Sequence, residues 1–330
     1  MKMFGSHDDS RRVPIPPGRI SGHSSNVVVV IPTLNEEAGI AKTLDGLRES
    51  LRSYDHAVVV VDGHSRDRTV EVSKSRKATV IYQKGSGYGD ALFTGFLYGI
   101  SALNAKILLV MDGDGSYDPN DAQKLIDPIV RGEADFVVGR REPESGAMSL
   151  TNRFGNWAIS WMTRRLLHLP LKDSQSGMFA FSSFLVEETD FRTKGWAVNT
   201  EILKQAAEVG MVIHEMPVRY RQRLGQSKLS PLKAGLANVA VALRMMRDAE
   251  PLLLFASLAS IFLAVGIVTG ASVILEWLHT GTETHIGTAI FSALTTLIGV
   301  ELVFFGLLAD MIKHARRRTR PRKDIFFEKA

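Results

Sequence analysis

The chain has 330 residues, enough for one large domain and an appendage, and carries a formal net charge of +5. It contains no cysteine, which excludes a disulfide framework, a thiol nucleophile and a zinc–thiolate site. The charge is mild overall but uneven, with basic residues crowding Arg140–Arg165, Arg219–Lys233 and Lys313–Lys323.

Residues 1–25 are polar and proline-containing, with no apolar run suited to a signal peptide, and are expected to form a disordered leader. Val27–Ile31 predicts a first buried strand ending in Pro32-Thr-Leu-Asn35-Glu36-Glu37. Ile40, Leu44, Leu47 and Leu51 then recur at helical spacing, with Glu37 as an exposed first-turn acid favoured by the helix dipole. Ala57–Val61 predicts a second strand, ending in Asp62-Gly-His-Ser65-Arg-Asp67-Arg-Thr69 before another helix, and Thr79–Tyr82 a short third. The glycine-rich Lys84-Gly85-Ser-Gly87-Tyr-Gly89 leads into a helix through Leu103; it lacks the ending of a P-loop and reads as a tight turn that lets backbone approach a ligand.

Ile107–Met111 is a run of five apolar residues, the pattern of a strand buried on both faces. It stops at Asp112-Gly113-Asp114, outside the carboxyl end of a parallel strand, where open α/β sheets place their ligands. Side chains alternate along extended backbone, so the two carboxylates point the same way and make a pincer for a hard divalent cation, Mg²⁺ or Mn²⁺. An acidic turn without metal is the alternative. An EF-hand is excluded, since Tyr117 and Gln123 stand where its loop needs Gly and Glu. A helix from about Asn120 and a fifth strand, Asp135–Val138, follow, with Arg140 and Arg141 just beyond it. Alternating strand and helix predict an α/β doubly wound, mostly parallel sheet. It is no dinucleotide-binding Rossmann domain, because TLNEE stands where the glycine fingerprint should be.

Ser230–Arg247 places Leu232, Leu236, Val239, Leu243 and Met246 among Lys233, Arg244 and Arg247, the pattern of an interfacial amphipathic helix, with core packing as the alternative. Pro251–Leu275 and Ile286–Ile312 are then almost unbroken apolar segments of about 25 residues, and a helix of that length spans roughly 37 Å, more than a bilayer's hydrocarbon core. They are expected to be two C-terminal transmembrane helices. Their connector Glu276–His285 has no Lys or Arg while both outer flanks are basic, which predicts that the whole region before Pro251 and both termini are cytoplasmic. Glu301, in the middle of the second span, is expected to face another helix, across an oligomer interface if not within the hairpin.

IPTLNEE after strand one, VDGHSRDRT after strand two and MDGDGSYDP after strand four resemble the inverting family 2 glycosyltransferases, which have the GT-A fold. Asp173-Ser-Gln-Ser176-Gly177-Met-Phe and Arg223-Leu-Gly-Gln-Ser-Lys228 are similar to the polyprenyl-phosphate group within them, the dolichol-phosphate mannose and glucose synthases. The resemblance covers about Asn26 to Lys233. Together with the amphipathic and apolar segments above, it gives expected domains at 26–228 (catalytic), 229–250 (interfacial helix) and 251–330 (transmembrane hairpin with basic tail). Its implied partners are a nucleotide-sugar donor (GDP-mannose or a UDP-hexose), a polyprenyl or dolichyl monophosphate acceptor and a lipid bilayer, and no nucleic acid.

The resemblance places Pro32, Asn35 and Glu36 in the nucleotide pocket, Asp112 at ribose or metal, and Asp114 on the metal. Ser116 stands where the lipid-linked group often has glutamine, so water would complete the metal shell. Asp62 is either an acceptor for a base N–H or a turn residue. The donor site further includes Lys84, Gly85, Gly113, Ser176 and Gly177, with Asp173 bordering the sugar or capping a turn. Arg219, Arg221, Arg223 and Lys228 are candidates for the leaving diphosphate, Arg223 and Lys228 foremost, against the alternative of a lipid-binding patch. Arg140, Arg141 and Arg153 are candidates for the lipid phosphate. Glu201 and Trp196 are candidates for sugar contact or for ordinary solvated and packing roles. The chain lacks the Gln-x-x-Arg-Trp signature of processive polysaccharide synthases, which favours a single transfer. A glycolipid or growing-glycan acceptor, or a catalytically degenerate membrane scaffold, are the alternatives.

Overall fold

The computed structural model describes residues 26–167, 169–189, 191, 198–225, 247, 250–281 and 286–319. Lys228, Trp196, the leader and most of the expected interfacial helix lie outside the described residues. The chain divides into two compact units, Met1–Val239 and Ala240–Ala330.

The first unit is built on a seven-stranded sheet of order β3-β2-β1-β4-β6-β5-β7. The strands are β1 (Val27–Thr33), β2 (His56–Asp62), β3 (Thr79–Tyr82), β4 (Ile107–Val110), β5 (Phe136–Pro143), β6 (Phe179–Ser182) and β7 (Ile213–Tyr220). All neighbours are parallel except β6, which runs antiparallel to both β4 and β5. The helices are α1 (Glu37–Ser50), α2 (Thr69–Ser75), α3 (Tyr88–Leu103), α4 (Ala122–Val130), α5 (Leu150–Leu167), α6 (Phe184–Glu188) and α7 (Val198–Glu208).

The continuous apolar strands have a direct cause. Val27, Val29 and Ile31 of β1 face one layer, with Ile40, Leu44 and Leu47 of α1 and Leu125 and Ile126 of α4. Val28 and Val30 face the other, with Leu92 and Phe96 of α3 and Ile202 of α7. Each such side chain, wholly withdrawn from water, contributes about 1.5–3 kcal/mol. The order in which strands are added reverses at β1, which has β2 on one side and β4 on the other, so the crevice beyond the carboxyl ends of β1 and β4 is a topological switch point.

Three sequence expectations change. β4 closes at Val110, so Met111 already belongs to the loop. β5 runs on to Pro143, pairing Arg140 with Pro217 and Arg141 with Val218 of β7, so both arginines are strand residues. Strands β6 and β7 were not among the expected elements.

The second unit holds two helices, Pro251–Thr280 and Ile286–Thr319, long and apolar enough over Pro251–Thr280 and Ile286–Ile312 to cross a membrane. They pack antiparallel through small residues: Ser292 Oγ donates to the Gly266 carbonyl at 2.8 Å, and Gly299 lies against Leu263. Such close backbone approach is the usual geometry of helices in lipid. Glu301 is exposed, so the neighbouring helix of the hairpin is not the one it faces.

Gly39, in the first turn of α1, shows how tightly the switch point is packed. A Cβ there would lie 2.3 Å from the carbonyl carbon of Asp114, which is backbone and has nowhere to go. Gly39→Ala is therefore expected to cost about 1–3 kcal/mol by overpacking. A thermal melt in detergent should show a drop of several degrees, and an unchanged melt would contradict this packing.

Candidate active site

The crevice is lined first by the turns after β1 and β2. These are stapled together: the Asn35 N–H donates to Ser65 Oγ at 2.8 Å, the Arg66 N–H to Asn35 Oδ1 at 2.7 Å, and the Glu36 N–H to Thr69 Oγ1 at 2.7 Å. Asp62 is wholly buried, and its carboxylate accepts from Thr33 Oγ1 at 3.3 Å, the Ser65 N–H at 2.8 Å and Ser65 Oγ at 2.5 Å. These bonds brace its own turn at the crevice edge. Pro32 is buried within β1, and Glu37 is exposed as expected.

Asp112 and Asp114 follow β4 into the crevice. Tyr88, at the start of α3, donates its hydroxyl to Asp112 Oδ1 at 3.2 Å. Burial, and then the neighbouring charge of Asp114, push the Asp112 carboxyl up to about 7. Asp114 accepts the Ser116 N–H at 2.9 Å on one oxygen, and its other oxygen lies 3.5 Å from Arg223 Nη2. The same nitrogen donates to Glu36 Oε1 at 3.1 Å. Three segments distant in sequence, the turns after β1 and β4 and the stretch after β7, thus converge on one guanidinium.

Backbone holds that stretch in place. The Arg221 N–H donates to the Ser116 carbonyl at 2.7 Å and the Leu224 N–H to the Asp114 carbonyl at 2.9 Å. Of the four cations expected for a diphosphate, only Arg223 reaches the carboxylate pair among the described residues. Arg221 Nη2 donates to buried Asp118 at 2.8 Å, and Arg219 lies 3.3 Å from the same carboxylate. Arg223 keeps its Nε buried with no acceptor among the described residues, a donor left unsatisfied beside the carboxylates.

Gly177, just before β6, abuts Asp112, while the neighbouring Ser176 hydroxyl lies 3.3 Å from the Tyr117 hydroxyl. A Cβ on Gly177 would fall 2.2 Å from Asp112 Oδ2, and the Gly177 N–H donates to the Tyr117 hydroxyl at 2.6 Å. Gly113 is buried beneath Thr33 and Ile31. The glycine-rich loop behaves differently: the Gly85 N–H donates to Asp90 at 2.7 Å and Lys84 is exposed, so the loop is tied to the first turn of α3.

Asp173 does not present a free carboxylate to a sugar. It holds Arg141 by a two-pronged pair, Nε–Oδ2 at 2.7 Å and Nη2–Oδ1 at 2.8 Å, and accepts the Arg141 N–H at 3.1 Å. Burial alone would raise its pKa, but these bonds and the Arg141 charge outweigh it and hold the carboxyl below its ordinary range. Arg141, Arg153 and Arg219 line an open cavity of about 580 Å³ together with Glu142 and Glu144. Arg140 is not among its lining residues and pairs with Glu142 at 2.7 Å. Glu201 lies in the first turn of α7 and accepts from Gln205 at 3.4 Å. Sequence reasoning missed Tyr88 and Tyr117, whose hydroxyls serve Asp112 and Gly177; only the fold brings them there.

A family model for glycosyl transferase family 2 matches residues 28–189. Over 295 residues the chain is 30% identical to Glycosyltransferase AglJ of Haloferax volcanii, an alignment spanning 88% of this chain and 95% of that protein. The chain belongs to glycosyl transferase family 2. It is also 31% identical to the undecaprenyl-phosphate mannosyltransferase of Micrococcus luteus, over 65% of this chain and 92% of that one. Among solved structures, glucosyl-3-phosphoglycerate synthase from Mycobacterium tuberculosis, in complex with Mn²⁺, UDP and glucosyl-3-phosphoglycerate, superposes with a TM-score of 0.55 at 20% identity, covering 68% of this chain and 80% of that chain. That likeness establishes the GT-A-like fold of this glycosyltransferase.

The donor set of the enzyme fits a divalent cation. Two acidic side chains, one with its pKa raised by burial and by the other's charge, would be relieved by a positive ion between them. Among the described residues no cluster of three or more His, Asp or Glu side chains could hold a metal alone.

The raised Asp112 pKa carries a stability consequence of definite sign. The unfolded chain releases this proton near 3.8, while the folded chain keeps it to about 7, so stability falls as pH rises through that window and levels off above it. In chelator, the melting temperature of Asp112→Asn should lack this fall, and the variant should be the more stable one at pH 8. Parallel pH profiles for the two proteins would contradict it. Breaking the buried Arg141–Asp173 pair with Arg141→Ala should cost about 3–5 kcal/mol, read as a lower melting temperature, because it strands a buried carboxylate.

Proposed function

We propose that this glycosyltransferase moves one hexose from a nucleoside diphosphate sugar to a polyprenyl monophosphate at a membrane surface. The observation that carries the reading is Arg223, drawn between Glu36 and Asp114 at the switch point with its buried Nε lacking an acceptor among the described residues. A cation there stabilises the leaving diphosphate more as its charge grows, and so lowers the barrier. The relative named as an undecaprenyl-phosphate mannosyltransferase supports the acceptor class.

An oxygen of the acceptor phosphate attacks the anomeric carbon from the face opposite the diphosphate. The new C–O bond forms as the bond to the leaving β-phosphate oxygen breaks, inverting the anomer and releasing a nucleoside diphosphate. The acceptor's second pKa is about 6, so it is largely ionised at neutral pH and needs no strong general base. Asp112 and Asp114 would hold Mg²⁺ or Mn²⁺, which when bound supplies positive charge to the leaving diphosphate. Pro32, Asn35 and Glu36 border the nucleotide, with Asp62 shaping the turn beside them; Ser176 and Gly177 border the sugar. Lys228 is assigned to the same diphosphate as Arg223, while Lys84 and Gly85 flank the donor.

The lipid phosphate is assigned to the cavity bearing Arg141, Arg153 and Arg219, with Arg140 at its margin as a weaker candidate. Its neighbour α5 exposes Phe154, Trp157 and Trp161 at 69%, 59% and 52%, and the three recur at i, i+3 and i+7 with Arg153, Arg164 and Arg165 exposed beside them. An exposed aromatic ridge with basic flanks suits a bilayer interface, where ring bodies bury and arginines meet phosphates. The domains follow as 26–228 catalytic, 229–250 interfacial and 251–330 a membrane hairpin, with the catalytic domain and both termini on the basic, cytoplasmic side. Glu301, exposed on its span, would meet a second copy of the chain.

Asp114→Ala is expected to abolish transfer of labelled sugar into polyprenyl phosphate while the melting temperature stays near that of the unaltered enzyme. Arg223→Ala should lower kcat by about 10²-fold or more, the usual loss when one transition-state donor is removed. Full activity in the first variant would remove the metal assignment, and unchanged kinetics in the second would leave the segment after β7 as a lipid-binding patch.

A further inference from the structure

The carboxyl ends of β2 and β3 carry two aromatic rings that the transfer chemistry does not use. His64 and Tyr82 stack with ring centroids 5.4 Å apart and planes 6° from parallel. Tyr82 is the last residue of β3, paired in register with Asp62, and is 51% exposed; His64 is exposed as well. His64 holds a φ of 64°, in the left-handed region, which residues with a Cβ enter uncommonly, histidine more often than most. The turn enforces it: Asp62 accepts twice from Ser65, Ser65 Oγ accepts from Asn35, and Asn35, itself at φ 51°, accepts from Arg66. A strained residue held by a braced turn at a ligand-binding edge is a sign of function.

The pair shares the crevice edge with Asp112 and Asp114. From β4 to β2 and β3 is two to three strand spacings of about 4.8 Å, on the order of 10–15 Å. That is the reach of an extended nucleoside diphosphate from its base to its terminal phosphate. We propose that His64 and Tyr82 form the stacking wall of the donor's nucleobase subsite. The inference rests on the nucleoside diphosphate reading and deepens it. Stacking accepts any base, so the pair supplies affinity, and the choice between bases falls to other contacts.

The test is equilibrium titration of the detergent-purified full chain, with Mn²⁺, using UDP, GDP and inorganic diphosphate as probes. His64→Gly and Tyr82→Ala should each weaken the nucleotide bound by the unaltered enzyme about tenfold or more, and leave inorganic diphosphate unaffected. His64→Gly should also melt no lower than the unaltered enzyme, since glycine enters this conformation freely. Unchanged nucleotide affinity in both variants would overturn the assignment, and so would a parallel loss for inorganic diphosphate, which would mean a distorted loop. An unaltered enzyme that binds inorganic diphosphate but neither nucleotide would overturn the donor reading itself, and this inference with it.

Discussion

Two carboxylates held together at the buried switch point set the terms for the rest of the molecule. Burial and the neighbouring charge of Asp114 push the Asp112 carboxyl up to about 7, the penalty for holding it out of water. The fold tolerates it because rigid neighbours leave the pair no escape: α1 presses Gly39 against the Asp114 backbone, and Gly177 closes over Asp112. Arg223, on the segment after β7, sets a positive charge 3.5 Å from Asp114.

The ion pairs around that segment divide the labour. Asp118 and Asp121 are buried acids that hold Arg219 and Arg221, fixing where β7 ends and hence where Arg223 begins. A run of arginines in sequence is therefore not a run of equivalent cations in space. The Arg141–Asp173 pair does the same for the far wall, joining β5 to the turn before β6 so that Arg141 faces the cavity it shares with Arg153.

Much of the fold was legible because strands buried on both faces must be apolar throughout. The expected bounds of β3 and the C-terminal end of α3 coincide with those observed, and β1 and β2 differ by one or two residues at an end. β5 was cut short because Arg140–Pro143 is charged, and only its pairing with β7 shows that it continues. β6 is four residues long and antiparallel, a strand defined by the partners on either side of it rather than by its own pattern. In the site, the placement of Asp112 and Asp114 just beyond the end of β4 was readable from local spacing alone. The commitment of Asp173 to Arg141 spans 32 residues and was not. The ridge of Phe154, Trp157 and Trp161 has helical spacing that the sequence displays openly, and it could have been found there.

The central claim is that Asp112, Asp114 and Arg223 form a cation-assisted seat for a nucleoside diphosphate sugar. The most direct measurement is a thermal-shift panel of UDP- and GDP-sugars on the detergent-purified protein, with and without Mn²⁺. A donor at one hundred times its Kd should stabilise the fold by about 2.7 kcal/mol. The account predicts such a shift for donors of one base, and only when the metal is present. A shift of equal size without metal, or no shift with any donor, would contradict it.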